Sequence, residues 1–317
     1  MQIVIADDEL DVVEQLHCYG ELRGYRVRIE RERAGTVERA ATRWQDADAV
    51  VLFRDRTPIT VTLLERLPGL KFIAQTGAGI SHIDLAACAE RGIAVSAQGF
   101  STEATAELTW ALILAARRRL FDEVQGLRSG RWQGVLGQSV RGQTLGILGY
   151  GRIGARVAAS AGLFGMRVLA HGGEGSRQRA QADGFDFESS RERFFSRADV
   201  LSIHLALNAQ TRASVSAADL AHMSPGSMLV NTSRAQLIQA GALVSALKAG
   251  RPGQAAIDVF DIEPAATAKD PLLALPNALC TPHLGGAERT TYEGFFGGAF
   301  AAVRAWAAGA PIDLIVS

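Results

Sequence analysis

Residues 144–172 read TLGILGYGRIGARVAASAGLFGMRVLAHG, and this stretch decides the fold. An apolar run over 144–148 leads into Gly149-Tyr150-Gly151-Arg152-Ile153-Gly154, which has the spacing GxGxxG. An Ala-rich helical segment follows over 155–163, and a second apolar run over 166–171. Strand, glycine turn, helix and strand in that order are what a phosphate-cradling βαβ unit needs. Gly149 permits the tight turn, Gly151 lets the backbone approach a pyrophosphate, and Gly154 lets the helix pack close to the strand. The helix start, where Arg152 and Ile153 stand, supplies free N–H groups and a partial positive charge. The stretch is therefore read as the opening of a Rossmann domain that binds a nicotinamide dinucleotide.

The far end of the second strand is less regular. An acid that accepts from the adenosine ribose hydroxyls is expected where Gly172 stands. Glu174 lies two residues on and can reach a ribose, whereas Arg177 and Arg179 can meet a 2′-phosphate. The cofactor is read as NAD or NADP.

Working outward, short β-branched runs alternate with helical stretches on both sides of this unit. Strands are expected over 2–6, 25–29, 49–53, 71–75 and 93–96, with helices over 12–22, 37–44, 60–67 and 82–91. A long helix over 102–120 opens a second unit, with strands over 145–148, 167–170, 200–204, 228–231, 255–259 and 278–281. A last helix over 290–308 returns to the first. The fold class is α/β: two doubly wound parallel-sheet domains, with the Rossmann dinucleotide-binding domain (100–286) inserted in a flavodoxin-like substrate domain (1–99 plus 287–317).

Composition narrows the function. Among 317 residues, 33 Lys and Arg balance 33 Asp and Glu, so no net field draws nucleic acid or an anionic membrane. The three cysteines, Cys18, Cys88 and Cys280, are too far apart for a metal or disulfide pattern. No metal site is expected. The acidic start, MQIVIADDE, lacks the apolar centre of a signal peptide, and no run is long enough to span a membrane. A cytoplasmic protein is the expectation.

Three polar residues fall just past strand ends in otherwise apolar settings: Arg234, Glu263 and His283. Carboxyl ends of strands line the ligand crevice of an open α/β sheet. An arginine fork can hold a carboxylate and polarise an adjacent carbonyl. A histidine can pass a proton to a new hydroxyl, and a carboxylate beside it favours the charged ring and fixes its tautomer. Together they fit hydride transfer between a nicotinamide and a small 2-keto acid.

Four motifs in order make the chain resemble the D-isomer-specific 2-hydroxyacid dehydrogenase family over nearly its whole length. They are GYGRIG (149–154), NTSRA (231–235), DVFDIEP (258–264) and TPHLGG (281–286). The resemblance implies that Arg234, Glu263 and His283 are catalytic, that Asp258 holds the nicotinamide carboxamide, and that Thr232 and Ser233 lie near its ribose. It places His204 and Gly285 at the cofactor too, although His204-Leu205-Ala206 departs from the family's His-x-Pro. The loop QTGAGI (75–80) resembles the substrate loop, with Ala78 and Gly79 presenting backbone N–H groups to a carboxylate. Arg54-Asp55-Arg56-Thr57 resembles the phosphoglycerate dehydrogenase branch, where such arginines face a phosphate. On an extended segment Arg54 and Arg56 would point the same way and grip one anion. The expected partner is a small anionic 2-hydroxy or 2-keto acid, with D-3-phosphoglycerate as a candidate, and the resemblance implies a homodimer through residues 118–133. A catalytically silent NAD(H)-sensing regulatory protein is the alternative reading.

Overall fold

The computed structural model describes residues 1–77, 79–98, 101–265 and 270–316. The chain divides into two compact units, Met1–Ser101 with Glu288–Ser317, and Thr102–Ala287.

Unit 1 opens with parallel strands β1 (Gln2–Ile5), β2 (Arg26–Ile29), β3 (Ala49–Phe53), β4 (Phe72–Thr76) and β5 (Ala94–Gln98), interleaved with α1 (Val37–Trp44), α2 (Val61–Leu64) and α3 (Leu85–Glu90). Every residue of β3 and β4 is buried, as central parallel strands covered on both faces must be. α1 begins where the Thr36 side chain accepts from Arg39 N, and it buries Ala40, Ala41 and Trp44 against the sheet.

Unit 2 runs α4 (Glu103–Arg117), α5 (Leu120–Arg128), β6 (Thr144–Leu148), α6 (Arg152–Ala161), β7 (Arg167–His171), α7 (Glu174–Ala182), β8 (Asp186–Phe187), α8 (Arg191–Arg197), β9 (Val200–Ile203), α9 (Ala217–Ala221), β10 (Met228–Asn231), α10 (Ala242–Lys248), β11 (Gln254–Ile257) and β12 (Ala278–Cys280). The strand order β12-β11-β10-β9-β6-β7-β8 reverses between β6 and β9, which is where a Rossmann sheet takes its ligand. The chain then returns to unit 1 as α11 (Arg289–Ala307) and β13 (Leu314–Val316), giving the order β13-β5-β4-β3-β1-β2.

The α/β reading holds, with three differences. First, the sheet of unit 1 is not wholly parallel, because β13 pairs antiparallel with β5. Second, residues 12–22 form two 3₁₀ turns, Val13–Gln15 and His17–Leu22, instead of one α-helix. Two carboxylates claim the backbone donors there: Asp8 accepts from Val12 N and Val13 N at 3.1 and 3.0 Å, and Glu293 of α11 from His17 N and Cys18 N at 2.7 and 3.0 Å. Third, the helix expected over 102–120 ends at Arg117, and a separate helix begins at Leu120 after Arg119 takes a left-handed φ of 52°. No helix among the described residues is long and apolar enough to cross a membrane.

Replacing Glu293 by Ala removes the acceptor that ties the second 3₁₀ turn to α11. Hydrogen exchange should then show the His17 and Cys18 amides exchanging faster by about tenfold or more, with β3 and β4 amides unchanged. Unaltered exchange at both would contradict this account of residues 12–22.

Candidate active site

The β6–α6 turn has the tight geometry its glycines imply. Gly149 has φ 92°, and a Cβ there would lie 2.8 Å from Leu205 Cδ2. A Cβ on Gly154 would lie 2.5 Å from Gly149 O and 3.1 Å from Ile147 Cγ2, so helix and strand meet backbone to backbone. Gly151 is different. A Cβ there would meet nothing within 4 Å, and Gly151 is the N-cap of α6 with no side-chain cap. A helix start with uncapped N–H groups beside open space is the cradle a pyrophosphate needs. Arg152 is exposed and Ile153 half-buried at its edge. By this test the residues fit a dinucleotide.

At the ribose end, β7 runs into Gly172, where a Cβ would sit 2.8 Å from Ser176 Oγ. Glu174 is turned along α7, accepting from Arg177 at 3.2 Å and Gln178 at 3.1 Å, and Arg179 Nε donates to Tyr150 O at 2.9 Å. The acid and the two arginines are thus already engaged with their neighbours.

Beyond β9, His204 Nε2 lies 2.8 Å from Ser202 Oγ. The residue is half-buried by surface, but atoms packed around its ring push its pKa down to about 4, so the ring is neutral at pH 7. After β10, Asn231 braces the turn: its Oδ1 accepts from Ser233 N and its Nδ2 donates to Arg234 O, both at 3.0 Å. Thr232 Oγ1 lies 2.9 Å from Thr109 Oγ1, and Ser233 Oγ donates to Leu205 O at 2.6 Å. Arg234 is exposed, with Nη1 donating to Ser233 O at 2.8 Å.

The segments after β11 and β12 are bound to each other. Asp258 has no exposed surface, and its Oδ1 accepts from Thr281 Oγ1 at 2.6 Å and Leu284 N at 2.8 Å. Its Oδ2 accepts from Gly285 N at 2.8 Å, while Gly285 O accepts from Thr105 Oγ1 at 2.8 Å. Burial raises the Asp258 pKa, and these donors and the His283 charge oppose the rise. Between the clamped ends, His283 holds a left-handed φ of 54°. Its Nδ1 meets Glu263 Oε2 at 2.7 Å, and Glu263 Oε1 accepts from Phe260 N at 3.1 Å. β10, β11 and β12 are neighbours in one sheet, so Arg234, the Asp258–Glu263 segment and His283 leave the same carboxyl edge. The structure brings Glu263 and His283 into direct contact.

In unit 1, the segment after β3 is not extended. Arg54 takes φ 58°, its N donates to Thr76 Oγ1 at 3.1 Å, and Gln75 Nε2 donates to its O at 3.0 Å. The alternation that would point Arg54 and Arg56 the same way therefore does not hold here. Arg56 turns back: Nη1 donates to Asp7 O at 2.6 Å and pairs with Glu9 at 2.9 Å, and its guanidinium lies 4.6 Å over the Phe53 ring. In the candidate substrate loop, Gly79 is exposed with open space beside its Cα. Ala78 lies outside the described residues.

Residues 110–285 match the model of the D-isomer specific 2-hydroxyacid dehydrogenase, NAD binding domain. The chain belongs to that family. It is 40% identical over 258 residues to the glyoxylate reductase of Aeropyrum pernix, covering 78% of this chain and 76% of that protein. It is 32% identical over 240 residues to the hydroxypyruvate reductase of Thermotoga maritima, covering 74% and 77%. The solved phosphoglycerate oxidoreductase of Vibrio cholerae O395 superposes with a TM-score of 0.94 at 44% identity, over 98% of this chain and 100% of that one. The protein is thus a 2-hydroxyacid oxidoreductase acting on CH–OH donors, and the regulatory reading has no support.

Sequence reasoning missed three supporting side chains in this 2-hydroxyacid dehydrogenase. Thr281 stands inside the TPHLGG motif, so its hydroxyl was open to view there, whereas Thr105 and Ser202 carry no local signal. One substitution tests the glycine turn. Gly154→Val places carbon against Gly149 O, so the Kd for NADH from fluorescence titration should rise roughly tenfold or more. An unchanged Kd would show that close backbone packing is not what forms the cradle.

Proposed function

We propose that the protein is an NAD(P)H-linked reductase of small, unphosphorylated 2-keto acids, in which Arg234 binds substrate and His283 is the proton donor. The observation that carries this reading is the 2.7 Å contact between His283 Nδ1 and Glu263. With Nδ1 held by a carboxylate, Nε2 is the nitrogen left to exchange a proton. Arg234 holds the substrate carboxylate and polarises the keto oxygen. A bound reduced nicotinamide supplies the hydride to the carbonyl carbon. His283 gives its proton to the oxygen that becomes the hydroxyl, and Glu263 stabilises the ring in its charged form.

In this reading unit 2 takes the cofactor and unit 1 the substrate. Gly149, Gly151, Arg152, Ile153 and Gly154 form the pyrophosphate cradle, with His204, Thr232, Ser233 and Gly285 around the nicotinamide half. Asp258 accepts three hydrogen bonds of the roughly four a carboxylate can take, which leaves capacity for the nicotinamide carboxamide. The engaged Glu174 and the absent acid at Gly172 support acceptance of both NADH and NADPH. The Arg56–Glu9 pair favours an unphosphorylated acid over D-3-phosphoglycerate, because Glu9 already neutralises that guanidinium and would repel a phosphate. We read the protein as a cytoplasmic homodimer, a reading supported by its three free cysteines and by the exposed Leu120, Phe121, Val124 and Leu127 on α5.

His283→Gln should lower kcat by about 10²–10⁴ while the Kd for NADH stays within error. Retained turnover would remove His283 as proton donor. Direct titration should give Kd values for NADH and NADPH within about tenfold of each other. A larger gap would mean that one arm of the α7 charge set is available to select.

A further inference from the structure

We infer that His171 is a further cofactor-binding residue, whose Nε2 accepts from the adenosine ribose 2′-hydroxyl in place of the acid that Gly172 does not supply. The inference rests on the cofactor reading above and names the group that serves its ribose end. His171 is the last residue of β7, the strand beside the glycine turn. Its O accepts from Gly149 N at 2.9 Å, and a Cβ on the next residue, Gly172, would lie 3.8 Å from Gly149 Cα. The end of β7 is thus tied directly to the turn that meets the pyrophosphate. In a Rossmann sheet the adenosine ribose hydroxyls are met just past this strand end.

The acids around this strand end are committed to other partners. Glu174 accepts from Arg177 and Gln178, and Asp183 Oδ2 accepts from the Tyr150 hydroxyl at 2.7 Å. Glu188 pairs with Arg193 and Arg197, both at 3.0 Å, and accepts from Ser190 N at 3.0 Å. Ser176 Oγ accepts from Tyr150 N at 3.2 Å. A ribose hydroxyl that needs an acceptor here must find it elsewhere.

The His171 ring is held in place and half-buried, with part of its surface open. It stacks 5.0 Å from the Phe194 ring at 24° and 6.2 Å from the Phe187 ring at 17°, contacts that a phenylalanine would make equally well. Its Nδ1 lies 2.7 Å from Glu188 O. A carbonyl only accepts, so Nδ1 carries the hydrogen, and in the neutral ring Nε2 is then a bare acceptor. Nε2 makes no hydrogen bond among the described residues. The space around it is open as well: Gly172 has no side chain, and a Cβ on Gly151 or Gly173 would meet nothing within 4 Å. A neutral nitrogen accepts from a ribose hydroxyl as a carboxylate would, yet brings no negative charge to repel a 2′-phosphate. That property suits a site that takes both NADH and NADPH.

NADH and its 2′-deoxyadenosine analogue differ by that one hydroxyl, and fluorescence titration of both tests the inference. The wild-type protein should bind NADH about fivefold more tightly than the analogue, the size of one hydrogen bond. His171→Phe keeps the ring contacts and removes Nε2, so the Kd for NADH should rise by about that factor while the analogue's Kd stays put. The two ligands should then bind equally. Each ratio is internal to one protein, so a general loosening by the substitution cancels, and the wild-type comparison stands without the variant. A wild-type protein that binds both ligands equally, or a variant that keeps the wild-type ratio, would overturn the role of His171 and leave the cofactor reading intact. A wild-type protein that binds neither NADH nor NADPH would overturn the cofactor reading itself, and the inference with it.

Discussion

A carboxylate with no exposed surface, Asp258, joins two strand ends that the chain would otherwise leave independent. It leaves β11 and draws in a hydroxyl and two backbone N–H groups from the segment after β12. Charge-assisted bonds of this kind are short and strong inside a protein, and an ionised acid buried without them would be costly. The donors stand at residues 281, 284 and 285, on both sides of His283, so the histidine is pinned from both directions. Its left-handed backbone is tolerable because those bonds determine it. Glu263, five residues past Asp258 on the same segment, then meets the ring. The Glu263–His283 contact thus depends on the buried Asp258 that fixes the segments on which both stand.

The parallel sheets supply the rest. Because β10, β11 and β12 are adjacent and parallel, residues far apart in sequence emerge on one edge, and the same rule brings the β6–α6 cradle to the switch between β6 and β9. In unit 1 an analogous switch lies between β1 and β3, with Asp7 and Arg54 just past their ends. The Glu263–His283 contact lies on the sheet that carries the glycine turn, whereas the other sheet ends in paired carboxylates and guanidinium groups.

Much of this was legible in the sequence, and the failures are instructive. The helix over 37–44 and the strands over 49–53 and 228–231 fall where pattern and capping place them. The region 12–22 was misread because its apolar spacing suits a helix, while the acids that cap its amides come from Asp8 and from Glu293, more than 270 residues away. β13 is three residues beyond a proline and has too little pattern to announce a strand. The Glu263–His283 contact could be anticipated because each sits in a dense motif. Glu9 could not, since its pairing with Arg56 depends on strand order, and the left-handed Arg54 breaks an alternation that no local pattern warns against.

The central claim is that this edge of unit 2 delivers hydride and proton to a 2-keto acid with one handedness. Chiral chromatography of the product formed from hydroxypyruvate and NAD(P)H tests it most directly. The account predicts D-glycerate in amounts equal to the cofactor oxidised. L-glycerate, a racemate, or cofactor loss without glycerate would contradict it.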